Sequence, residues 1–139
     1  MLRIYYGETG TGKSKRIISE CNDRVERANG TIVYVDDDKT HSREISYKIR
    51  FIDASDYSID NPEAFYGFLS GIAAQDHDLE AIYVDGFSDL VKTELMKMND
   101  FFAKLHVFVE KVDIDVYLSI NGKEGELPSF LTPYTVECK

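Results

Sequence analysis

A chain of 139 residues with 43% hydrophobic and 29% charged residues has the composition of one globular domain spanning 1–139, long enough to bury roughly two thirds of its unfolded surface. Its formal net charge of −9 argues against nucleic acid as the main partner, because capturing a phosphate backbone requires clustered Lys and Arg. No apolar run approaches the roughly 20 residues of a membrane span, and no basic segment with a long apolar stretch and cleavage site leads the chain. A cytoplasmic protein without membrane contact is expected.

Short β-branched or aromatic runs alternate with amphipathic segments, the pattern of parallel strands joined by crossover helices. "LRIYY" reads as the first strand. After a glycine-rich loop, Ile17, Ile18, Cys21 and Val25 recur at helical spacing, with Gly30 where a stop is expected. "TIVYV" is the second strand and runs into Asp36, Asp37 and Asp38. "KIRFID" reads as a short extended segment. The helix in "SIDNPEAFYGFLSGIAA" can be capped by Asp60 or Asn61, with Pro62 in its first turn. "LEAIYVDG" is the third core strand, apolar enough to be buried on both faces. Ser88 or Asp89 then opens one long helix whose apolar positions include Leu90, Val91, Leu95, Met98, Phe102, Leu105 and Val109. "IDVYLSING" is the fourth strand and "YTVEC" the fifth, with a turn-rich loop between them. Cys21 and Cys138 match neither a metal-ligand spacing nor a disulfide framework, and read as free thiols.

The opening loop carries the chemistry. Gly7, Glu8, Thr9, Gly10, Thr11, Gly12, Lys13 and Ser14 match G-x-x-x-x-G-K-[ST] at every fixed position, between a strand and a helix. Glycines allow successive N–H groups to curl around a phosphate, and the helix N-terminus adds partial positive charge. Lys13 is expected at the β- and γ-phosphates and Ser14 on magnesium. The carboxylate such a metal needs should stand at the end of a neighbouring strand, where "AIYVDG" offers Asp85.

These motifs resemble the P-loop NTPases. With one strand between the two motif-bearing strands, the chain is similar to their RecA-like branch, which implies a three-layer α/β fold with a mainly parallel five-stranded sheet of order 5-1-4-3-2. "YVDGFSDLV" looks like the magnesium-binding strand of that group, with a small residue after the aspartate. "VYVDDD" resembles its second strand, where the water-activating carboxylate resides. By that resemblance Asp38 is the catalytic base, shorter than the usual glutamate, and Asn121 is a sensor of the γ-phosphate or of the attacking water. A solvated turn explains the acidic triplet equally well, and a strand-ending Asn before Gly is an ordinary turn signal. Lys123 could serve a neighbouring subunit's nucleotide or simply be solvated. His41, His77 and His106 are scattered and read as surface or helix-flank residues.

The function expected is magnesium-dependent ATP binding with slow hydrolysis. No N-K-x-D sequence offers to read guanine. All six arginines lie between Arg3 and Arg50, so the arginine-bearing lid of a small-molecule kinase has no counterpart. A nucleotide-gated interaction module with little catalysis is one alternative, and a small-molecule kinase with a lysine-only lid is the other, disfavoured one. With so little chain left over, specificity should come from a protein partner or from another copy in a homo-oligomer.

Overall fold

The computed structural model describes residues 1–138. In chain order it contains β1 (Leu2–Gly7), α1 (Lys13–Val25), β2 (Thr31–Asp36), β3 (Arg50–Asp53), α2 (Pro62–Ala74), β4 (Leu79–Val84), α3 (Phe87–Val91), α4 (Asn99–Val112), β5 (Asp115–Asn121) and β6 (Thr135–Glu137), with short 3-10 turns in the connections. Every strand pairing is parallel. All strands therefore point their C-terminal ends toward one rim.

The sheet has six strands in the order β3-β2-β4-β5-β1-β6. This differs from the expected five-stranded order 5-1-4-3-2, because Arg50–Asp53 within the segment "KIRFID" forms a strand. β3 pairs with β2 from Val33↔Arg50 to Asp36↔Asp53 and extends the sheet at that edge. With β3 set aside, the other five strands follow the expected succession.

Two apolar layers sandwich the sheet. On one face Phe65 and Leu69 of α2, Phe87 and Leu90 of α3, and Phe102 and Leu105 of α4 cover Ile4, Val33, Ile82 and Val116. The other face is covered by Ile17, Ile18 and Cys21 of α1, with Ile45 and Ile49 from the loop before β3. Alternation along the strands sends Tyr34, Tyr83 and Tyr117 to this second face, in register across β2, β4 and β5. Tyr83 and Tyr117 stack with centroids 4.4 Å apart. Arg24 of α1 clamps the same face, 2.9 Å from both Glu80 and Asp115.

Helix boundaries follow local chemistry. Asn61 caps α2 by accepting the Ala64 N–H at 2.8 Å, and Pro62 occupies the first turn. α1 ends at Val25, before Gly30. The single long helix expected from Ser88 or Asp89 is two helices: Lys92 adopts a left-handed φ of 50°, which a right-handed helix cannot pass through. The Thr93 hydroxyl bonds the Val91 carbonyl at 3.0 Å at that break. Met98 nonetheless reaches the core and Leu95 packs against it, through a 3-10 turn, so the apolar spacing continues across the interruption. Cys21 and Cys138 are free thiols.

Phe87 anchors the segment leaving β4. It is 1% exposed and meets Phe65 edge-on at 5.1 Å. Phe87→Ala is expected to lower unfolding free energy by about 3–5 kcal/mol in a denaturant titration. Val107→Ala, at a position 63% exposed, should stay within about 0.5 kcal/mol of the parent.

Candidate functional site

A cleft of about 490 Å³ opens at the C-terminal rim between the loop after β1 and the ends of β2, β4 and β5. Parallel pairing brings these ends together: Val35 of β2 lies beside Val84 of β4, and Gly7 of β1 beside Asn121 of β5. This is where a doubly wound sheet places ligands.

The loop is shaped by two left-handed glycines, Gly10 at φ 91° and Gly12 at φ 84°, a conformation costly for other residues. Gly12 is the residue before α1 and offers no side-chain cap. The first intrahelical bond runs from Arg16 N–H to the Gly12 carbonyl at 3.0 Å, so the N–H groups of Lys13, Ser14 and Lys15 lie outside the helical ladder. Thr9, Gly10, Gly12, Lys13 and Ser14 line the cleft. Glu8 and Thr11 do not; with Gly7 they line a separate small cavity of about 180 Å³ beside Cys138. Thr11 instead braces the turn, its hydroxyl donating to the Glu8 carbonyl at 2.7 Å.

Lys13 is buried, with its ammonium folded onto its own loop. It donates to the Gly7 carbonyl at 2.9 Å and the Glu8 carbonyl at 2.8 Å. Burial pushes its pKa down, partly offset by the nearby Cys138 and Asp85 side chains.

Asp85 stands just beyond β4, 6% exposed. Both of its oxygens are held: Oδ1 accepts from Ser119 Oγ at 2.7 Å and Gly86 N–H at 3.0 Å, and Oδ2 from the Tyr34 hydroxyl at 3.1 Å. Gly86 has φ 75°, and a Cβ there would stand 2.6 Å from Asp37 Cγ. The small residue after the aspartate is thus required by the neighbouring acidic turn.

Asp36, at the end of β2, is 2% exposed. Its Oδ1 accepts the Asp37 N–H at 2.8 Å, while the buried Oδ2 receives no hydrogen bond. Burial first, then the neighbouring Asp37 and Asp85, hold its carboxyl well above the usual carboxylate range. Asp38, by contrast, is exposed on the cleft rim; Thr40 bonds its Oδ1 at 2.8 Å and holds its carboxyl below the usual range. Asn121 is exposed at the cleft, with its N–H donating to Ser88 Oγ at 3.1 Å.

The structure adds residues that the motifs did not mark. Tyr34 and Ser119 fix Asp85, Asp36 faces the same cleft, and His41 lines its wall. A serine inside the otherwise apolar "VYLSI" was the available signal for Ser119. His77 is exposed, and His106 sits against Tyr134 with centroids 5.3 Å apart, so neither joins this cleft. Lys123 is also outside it; its carbonyl accepts from the Tyr6 hydroxyl at 2.8 Å.

Two measurements check this network. Tyr34→Phe leaves Asp85 Oδ2 without its phenol donor and should cost about 1–3 kcal/mol in chemical unfolding. Asp36 has a raised folded-state pKa, so its contribution is largest below the ordinary carboxylate pKa and is lost as pH rises toward the elevated value. Asp36→Asn should therefore flatten the fall in Tm of the metal-free protein between acidic and mildly alkaline pH. An unchanged pH profile would contradict the assignment.

No family model matches the chain, and no curated protein matches it. Among solved structures it is similar to the crystal structure of flagellar accessory protein FlaH from Methanocaldococcus jannaschii, with a TM-score of 0.57 and 16% identity over 98% of this chain and 70% of that one. At that identity the likeness is one of fold: a parallel sheet flanked by helices.

Proposed function

We propose that the chain binds ATP with magnesium in the rim cleft and hydrolyses it slowly. The observation that carries this reading is the junction of loop and helix: two left-handed glycines lead into the start of α1, whose first N–H groups lie outside the helical ladder, and these residues line a cleft that also contains Asp85. Such a junction favours a phosphate chain through both hydrogen bonding and the helix dipole.

The residues present fit magnesium. Asp36, Asp37, Asp38, Asp85 and Asp89 line the cleft against only Lys13 and Lys15, so an uncompensated triphosphate would meet net negative charge. Ser14 and Asp85 would hold the ion, and its chemistry when bound is to neutralise phosphate charge. The Ser119 and Tyr34 hydroxyls keep the Asp85 carboxylate in one orientation. Lys13 would exchange the Gly7 and Glu8 carbonyls for β- and γ-phosphate oxygens. Asp38 is the proposed proton acceptor for the attacking water, and Asn121 the group that orients that water or touches the γ-phosphate. The short Asp38 side chain, tied to its own turn by Thr40, supports slow turnover.

That same tie favours a second reading, in which bound nucleotide orders the Asp36–Glu44 loop for a protein partner or another copy of the chain and little chemistry follows.

Fluorescent ATP titration with and without EDTA tests the binding claim. Chelation should abolish uptake, and Lys13→Ala should weaken it by at least tenfold; unchanged uptake in either arm would overturn it. Phosphate release then separates the readings. A rate that falls at least tenfold in Asp38→Ala supports hydrolysis, whereas equal, background rates with intact binding support the nucleotide-gated module.

A further inference from the structure

We propose that Asp36, His41 and Asp85 form a seat for a divalent transition-metal ion, of the manganese or zinc type, that fills without nucleotide. One ligand-capable atom from each of the three lies within 4.8 Å of the others. Around an ion bound at about 2.0–2.2 Å, ligand atoms stand roughly 3–4 Å apart, so closure by about an ångström completes the arrangement.

Asp36 supplies the decisive observation. Its side chain is almost wholly enclosed, lines the cleft, and leaves Oδ2 buried without a donor. A buried acceptor left unbonded costs stability unless something meets it. Asp85, across the adjacent β2–β4 pair, is already oriented by Ser119, Gly86 and Tyr34; its Oδ1 accepts two hydrogen bonds, while Oδ2, with the Tyr34 hydroxyl as its one donor, retains a lone pair for a metal.

His41 sets the class of ion. Its Nδ1 is paired with Glu44 Oε2 at 2.7 Å, which assigns Nε2 to the metal. A carboxylate on the far ring nitrogen is the usual support of a ligating histidine, fixing both tautomer and ring angle. Imidazole suits zinc and its neighbours and the two carboxylates suit manganese, whereas magnesium prefers an all-oxygen shell with several waters. Two carboxylates would balance the charge of the ion. The seat shares Asp85 with the magnesium site assigned to Ser14 and Asp85, but Asp36 and His41 take no part in that site, so this inference goes beyond the nucleotide reading.

The test uses the full chain, stripped of metal and free of nucleotide, titrated with Mn2+ while free ion is followed by EPR. One equivalent should bind saturably at micromolar concentration, and Zn2+ should displace it. His41→Ala and Asp36→Asn should each weaken binding at least tenfold, and Glu44→Gln, which acts by positioning His41, about tenfold. Circular dichroism and Tm without metal establish that each variant is folded; if Asp36→Asn does not fold, the loop variant His41→Ala decides. No saturable uptake below about 1 mM, or uptake unchanged by His41→Ala, would overturn the proposal. With nucleotide absent from every arm, the result stands apart from whether the chain binds ATP.

Discussion

Two carboxylates enclosed at the ends of neighbouring parallel strands repel one another, and the rim of the sheet is organised around that repulsion. Asp36 and Asp85 follow adjacent strands β2 and β4, each less than a tenth exposed. Like charges in such a place raise the free energy of the folded state unless donors or a cation answer them. Asp85 is answered from within, by a serine, a phenol and a backbone N–H. Asp36 is answered only in half. The asymmetry makes one acid a fixed post and the other a vacancy in the hydrogen-bonding scheme, and it explains why a cleft rich in acids should favour cations.

The donors reach Asp85 because of how the two faces of the sheet are filled. On the face covered by α1, Tyr34, Tyr83 and Tyr117 run in register across three strands. A tyrosine combines a large apolar body with a polar tip, so it can fill a core while its hydroxyl reaches a partner at the edge. Tyr34 sends its hydroxyl to Asp85, and the Tyr117 hydroxyl accepts from Arg24 at 3.2 Å. The opposite face needs no such reach. There aromatic contacts such as Phe65 against Phe87 hold α2 and α3 beneath the rim, so the segment after Asp85 is pinned from below while its carboxylate is pinned from above.

What could be read from the sequence was whatever is local. The Gly7–Ser14 loop, its flanking strand and helix, and Asp85 at a strand end are all contiguous patterns, and the structure places Gly12, Lys13, Ser14 and Asp85 around one cleft. The Asn61 cap was legible for the same reason. Asp36, His41, Tyr34 and Ser119 were not, because their meeting depends on which strands become neighbours and on the pleat of each. β3 was too short to separate from an extended loop until its pairing with β2 was known. The break at Lys92 was hidden because Leu95 and Met98 keep an apolar rhythm through a turn that is no longer α-helical.

The lysine folded back onto its own loop acts as an internal strut. In holding the Gly7 and Glu8 carbonyls, Lys13 supplies from the first residue of α1 the donors that those two acceptors of the loop would otherwise seek from water. With Thr11 bracing the same turn, the loop is held in its curve by its own side chains and stands pre-organised rather than floppy.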